Sequence, residues 1–166
     1  MIWNDVMIRD WAMAGGVSPF VAENVNPASI DLRWSGRVRF AQHTGDLWSP
    51  VVEAEELVLY GGQLVLLDTL EYVNMPETAA GSLMLKSSMG RKGLEHLHAG
   101  YFDPGFEGTA TLEITNMHPQ PVTLKRGDRI VQLVMMAMTA PPIKSYQHTG
   151  RYNGQTSPEP SREKRP

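Results

Sequence analysis

Between Lys86 and Glu113 the chain reads KSSMGRKGLEHLHAGYFDPGFEGTATLE, and this stretch gathers most of the residues able to do chemistry. Ser87 and Ser88 form a hydroxyl pair after Lys86 and just ahead of a fixed cation, Arg91. An Ala99-Gly100 step then leads to the turn Asp103-Pro104-Gly105, and the next strand carries one acid, Glu113. Together such groups could hold a phosphorylated sugar, a polar base and a water molecule at once.

Each residue also has an ordinary explanation. A glutamate on a half-exposed strand is usually solvated, and alternate strand residues face opposite ways. What singles out Glu113 is the tight turn at residues 103–108, which aims the start of its strand back at Ala99-Gly100. Ser88 could simply cap a short helix over residues 88–94. Hydroxyls and Lys86 at a helix start, with Arg91 one turn on, could equally bind an anion through backbone N–H groups and a guanidinium fork. The spacing leaves both readings open. Asp103 fits ordinary Asp-Pro-Gly turn chemistry. His96 and His98 read as surface or core histidines, with no metal-ligand spacing.

The elements that must position these groups are mostly strands. Asn4 or Asp5 can cap a short helix carrying Met7, Ile8, Trp11 and Ala14 on one side, which Gly15-Gly16 stops. Strands are expected at residues 30–34, 57–59, 64–67, 80–85, 109–115, 122–124 and 130–138, with Gly61-Gly62 as a hairpin signal. Glycine and proline punctuate these runs about every ten residues, which favours a sandwich, barrel or jelly roll. The methionines, three of them within residues 134–138 and Met117 nearby, read as core filling. Residues 1–138 are thus expected to form one β domain. Residues 139–166, rich in Pro, Gly, Ser and Gln, read as a tail, but Tyr146, Tyr152 and Gln155 suggest that it orders over something.

Composition sets outer limits. A chain of 166 residues can bury on the order of 70% of its unfolded surface in one core. It has no cysteine, which rules out disulfides and thiolate zinc centres. A formal charge of −3 with mixed signs gives no nucleic-acid footprint. No apolar run reaches membrane-spanning length and no signal peptide is evident, so a cytoplasmic location is expected.

Five motifs, in order along nearly the whole chain, resemble the dCTP deaminase branch of the trimeric dUTPase superfamily. They are Asn26-Pro27-Ala28-Ser29-Ile30-Asp31-Leu32-Arg33; Ser87-Ser88-x-x-Arg91-x-Gly93-Leu94; Ala99-Gly100-x-x-Asp103-Pro104-Gly105-Phe106-x-Gly108 with Leu112-Glu113; Gly127-x-x-Ile130-x-Gln132-Leu133; and Gly150-Arg151-Tyr152-Asn153-Gly154-Gln155 with Pro160-Ser161-Arg162. The resemblance implies a mainly β subunit, a distorted jelly roll or β-barrel of the dUTPase type with a short N-terminal helix and a C-terminal lid. It further implies a homotrimer with active sites between subunits. The implied reaction is dCTP and water giving dUTP and ammonia, without zinc or any catalytic metal, magnesium arriving with the triphosphate.

By the same resemblance Glu113 would take a proton from the attacking water and then pass one each to the ring nitrogen and the leaving amine as water gives up both its protons. The Ala99 carbonyl would hold that water, Ser87 would hydrogen-bond it, and Arg91 would fix Ser87 and Glu113. Asp103 would meet the deoxyribose 3′-hydroxyl. Lys86, Ser88, Tyr146, Arg151 and Gln155 would bind phosphates and base. The chain departs from the family pattern at Lys86 (usually Arg), at Arg151 (often Lys), in a segment 94–98 one residue short, and at His98 (usually Thr), where the family is inhibited by dTTP. Three alternatives accompany this reading: a bifunctional enzyme giving dUMP, with Asp103 also activating water at the α-phosphate; a dUTPase alone; and a non-catalytic nucleotide-binding trimer.

Overall fold

A computed structural model describes residues 1–97 and 99–162. The chain runs α1 (Asp5–Trp11), β1 (Val17–Ser18), β2 (Val25–Asn26), β3 (Ser29–Phe40), β4 (Val52–Glu53), β5 (Glu56–Leu59), β6 (Leu64–Asn74) and β7 (Ala79–Leu85). It continues through α2 (Ser87–Gly90), β8 (Leu94–His96), β9 (Tyr101–Phe102), β10 (Glu107–Asn116), β11 (Val122–Lys125), β12 (Arg129–Ala137) and α3 (Tyr146–Thr149). One sheet has the order β8-β10-β6-β3-β12-β7-β9, with β1 on β6 and β2 and β4 on β3. It curls into a half-barrel, so the mainly β expectation holds. No helix among the described residues is long and apolar enough to cross a membrane.

The core lies inside this curl. Ile30, Leu32 and Trp34 of β3 meet Leu67 of β6, Leu112 and Ile114 of β10, and Ile130 and Leu133 of β12, all 1% exposed or less. Burying side chains of this size contributes roughly 1.5–3 kcal/mol each. Strand β3 is flanked by β6 and β12 and covered on both faces, so even its polar residues Asp31 and Ser35 are buried.

Those buried polar groups are paired. Asp31 accepts from Asn26 Nδ2 at 2.9 Å and from Lys86, which ties the early motif to the start of α2. The Glu71 carboxylate accepts from Arg33 N at 2.7 Å and Arg33 Nε at 2.6 Å. Asp68 takes Arg37 Nη2 at 2.5 Å, the Ser35 hydroxyl, and Thr109 Oγ1 at 3.2 Å. Burial pushes the Asp68 and Glu71 carboxyls above their ordinary values, against the downward pull of those hydrogen bonds and arginines.

Several local expectations need correction. Gly61-Gly62 turns the chain, but β5 and β6 are not a hairpin: β5 pairs with β11 in a separate two-stranded sheet. Asn116, fully buried at the end of β10, donates to Leu59 O at 2.8 Å and Gln120 O at 2.9 Å and so fastens the two loops together. Helix α1 buries Ile8, and Ala12 follows it, while Met7 and Ala14 stay exposed; α1 ends at Trp11, and Gly15 at φ +98° stops the distorted turn after it. Among the methionines, Met75, Met89 and Met135 fill the core, whereas Met117 and Met138 are exposed.

Arg37→Met tests the buried pairing. Removing one partner of such a pair should cost about 3 kcal/mol near neutral pH. A raised carboxyl pKa means that the folded chain holds the proton more tightly than the unfolded one. That stabilisation is present at low pH and lost as pH rises. The gap in melting temperature between variant and wild type should therefore narrow from about pH 7 to about pH 4.5; a gap that widens on acidification contradicts the account.

Candidate functional site

Strand β10 builds the site. Its pairing with β6 shifts between Thr109 and Thr111, and the backbone N–H freed at Ala110 donates to Thr69 Oγ1 at 2.9 Å. Beyond this bulge Leu112 and Ile114 enter the core, while Thr111 and Glu113 face the other way and line a pocket of about 390 Å³. The pocket's far walls come from β9 and the turn after it, with Ala99, Gly100, Asp103 and Phe106, and from the loop residue Trp48.

The tail closes one side. Tyr146 N donates to Pro104 O at 3.1 Å, and Phe106 packs 5.8 Å from the Tyr146 ring. Gln155, 6% exposed, then runs beside β10: Thr109 N donates to its carbonyl at 2.9 Å and its Nε2 donates to Thr109 O at 2.6 Å. Gly108, at φ +149°, lets this contact form, since a Cβ there would stand 2.9 Å from Gln155 O. Further on, Glu159 N donates to Thr111 Oγ1 at 3.0 Å and Arg39 Nε to Pro158 O at 2.8 Å. Burial pushes the Tyr146 phenol above its usual value.

Of the ten sequence-predicted site residues, Ala99, Asp103, Glu113, Tyr146 and Gln155 line this pocket. Lys86, Ser87, Ser88, Arg91 and Arg151 do not. Lys86 holds the N-cap position of α2 and turns its ammonium to Asp31 rather than to solvent; neither serine is the cap, and both are exposed beside the exposed Arg91. Arg151 donates to Arg162 O at 3.0 Å within the tail. His98 lies outside the described residues.

Sequence reading missed Trp48, Thr111 and Glu159. Thr111 was recoverable, since it sits two residues before Glu113 and shares its face. Trp48 lies in a loop with no periodicity, and its place depends on long-range packing. His96, taken for a surface or core histidine, is buried, with Nε2 3.5 Å from Glu113 Oε2. No group of three or more His, Asp or Glu side chains suited to a metal occurs among the described residues.

A family model described as dCTP deaminase-like matches residues 4–138. The chain belongs to that family. A protein of Mycolicibacterium vanbaalenii named "dCTP deaminase, dUMP-forming" is 40% identical over 181 aligned positions, spanning 98% of this chain and 95% of the relative. One of the same name from Corynebacterium diphtheriae is 39% identical and spans 98% and 97%. Among solved structures, the 2′-deoxycytidine 5′-triphosphate deaminase of Agrobacterium tumefaciens superposes with a TM-score of 0.71 at 21% identity, over 82% of this chain but only 48% of that one. The dUTPase of Staphylococcus bacteriophage 80alpha gives 0.52 at 20% identity, over 72% and 83%. These two likenesses confirm the dUTPase-like fold of the family.

The tail's hold on β10 is open to test. Gln155→Ala removes one hydrogen bond worth about 1 kcal/mol, so the tail should open about fivefold more often. Trypsin should then cut after Arg151 about fivefold faster while the melting temperature of the β domain stays put; an unchanged cleavage rate contradicts the docking described.

Proposed function

We propose that this member of the dCTP deaminase-like family hydrolyses dCTP to ammonia and dUMP, as a homotrimer whose sites are shared between subunits. One observation carries the reading: the pocket holds Glu113, Ala99, Asp103, Tyr146 and Gln155, while Ser87, Ser88 and Arg91 stand exposed elsewhere on the same chain. A neighbouring copy that presents its α2 to the pocket brings hydroxyls and a guanidinium to a carboxylate already in place. Such a head-to-tail contact closes into a ring.

In the deamination step, water held by the Ala99 carbonyl attacks C4 of cytosine. Glu113 accepts its proton and delivers it to the ring nitrogen, then carries the hydroxyl proton of the tetrahedral intermediate to the amine, which departs as ammonia as the C4 carbonyl of dUTP forms. Arg91 from the neighbouring copy fixes Ser87 and Glu113 in place. Magnesium enters as part of the substrate, chelated by phosphate oxygens. Ser88, Tyr146, Arg151 and Gln155 close on the nucleotide, residues 139–166 acting as the lid. Lys86 acts at one remove, fixing α2 through Asp31.

Sequence reading placed dUTP as the released product and dUMP as the alternative. Relatives at 39–40% identity over nearly the whole chain are named dUMP-forming, which favours the alternative. Asp103 then has a second task, activating water at the α-phosphate, which splits dUTP into dUMP and pyrophosphate.

Incubating the protein with magnesium and dCTP should release ammonia, dUMP and pyrophosphate, resolved by anion-exchange chromatography. Accumulating dUTP would restrict the activity to deamination, and no turnover of dCTP would refute the proposal. Glu113→Gln should lower ammonia release by at least about 10³-fold with the fold intact. Mixing inactive Glu113→Gln and Arg91→Ala subunits in equal amounts should restore about a quarter of wild-type activity, since one site in four then draws Glu113 from an Arg91→Ala copy and Arg91 from a Glu113→Gln copy; no recovery after exchange of subunits would place both residues in one chain's site.

A further inference from the structure

We propose that His96 is a positioning residue for Glu113, donating from Nε2 to Oε2 so that the other carboxylate oxygen is aimed into the pocket. This rests on the reading of Glu113 as the proton-transfer group and adds a residue that reading does not contain.

Three observations converge on the pair. Strand β8 lies antiparallel to β10 and ends at His96, opposite Ile114; just beyond it Leu97 N donates to Glu113 O at 3.2 Å, which brings the His96 and Glu113 backbones together. The His96 side chain is 2% exposed, its Nε2 is 3.5 Å from Glu113 Oε2, and neither ring nitrogen nor that oxygen has another hydrogen-bond partner. The Glu113 side chain is itself 27% exposed, so one oxygen is turned inward while the residue still lines the pocket. Catalytic hydrogen bonds that are long in the free protein shorten when substrate binds.

The tautomer follows from the cost of buried polar groups. A proton on Nδ1 would leave a buried N–H without an acceptor and set the Nε2 lone pair against a carboxylate. A proton on Nε2 satisfies a donor and an acceptor together and leaves a single lone pair unused. The space for this ring is reserved by Gly100. A Cβ at that position would come within 3.0 Å of His96 Cε1 and 2.6 Å of Leu83 Cβ. The glycine of the Ala99-Gly100 step is therefore required by the imidazole and Leu83 behind it.

The test compares His96→Leu with His96→Gln, whose amide N–H reaches the same oxygen, by steady-state ammonia release from magnesium dCTP. His96→Leu should lower kcat about 30-fold with KM within about twofold, and His96→Gln should recover most of the loss. Wild-type kcat in His96→Leu, or no recovery in His96→Gln, overturns the proposal. A second measurement needs no variant at His96. In wild-type protein with isotope-labelled histidine, nitrogen NMR should show the Nε2–H tautomer, with a resonance that moves in Glu113→Ala. An Nδ1–H tautomer, or a resonance indifferent to Glu113, overturns it. If wild type and Glu113→Gln release ammonia alike, the assignment of Glu113 fails; if only Glu113→Gln is impaired and both His96 variants match wild type, the inference about His96 fails alone.

Discussion

The site depends on the register of β10 against β6. Side chains on a strand alternate, so a slip of one residue would drive Glu113 into the core and turn Leu112 and Ile114 to the pocket. Three contacts pin that register. Thr69 Oγ1 takes the Ala110 N–H at the bulge, Asp68 takes the Thr109 hydroxyl, and buried Asn116 fastens the strand's end to the loops around it. The bulge lets one strand carry a core face and a working face on the correct sides.

Charge is buried around this strand for the same purpose. Asp68 and Glu71 lie on β6, each desolvated and each matched by an arginine from β3. Buried pairs of this kind add little net stability over apolar replacements. What they supply here is alignment: Asp68 links β3, β6 and β10 through Arg37 and Thr109, at the level where the tail's Gln155 joins Thr109. Asp31 does the equivalent at the opposite end of β3, drawing Lys86 inward and fixing the start of α2. Lys86, expected from the sequence to touch phosphate, here supports the start of α2 through Asp31.

Much of this was legible in the residues. The strand runs, the turn at residues 103–108 and Glu113 on the strand that follows are local patterns, and each folded as expected. The partner of β5 was not legible, because Gly61-Gly62 specifies a reversal and says nothing about which strand then pairs. Nor was the place of His96, whose meaning comes from an acid on the adjacent strand seventeen positions further along the chain and from a glycine that leaves room for it. The distance between the Glu113 pocket and the Ser87–Arg91 run was not legible from spacing either, which orders residues along the chain and not in space.

Five buried side-chain atoms among the described residues lack a hydrogen-bond partner: Trp3 Nε1, both ring nitrogens of His96, Glu113 Oε2 and Gln155 Oε1. Folded proteins leave few such atoms, because each costs about 1–3 kcal/mol. Four of the five belong to Glu113, Gln155 and the histidine that touches Glu113. A fold that satisfies Asp31, Asp68, Glu71 and Asn116 so fully has the means to satisfy these as well. Their concentration beside one pocket sets it apart from the rest of the interior: the strand register and the buried ion pairs leave their polar groups satisfied, and the exceptions gather on Gln155, Glu113 and the histidine behind it.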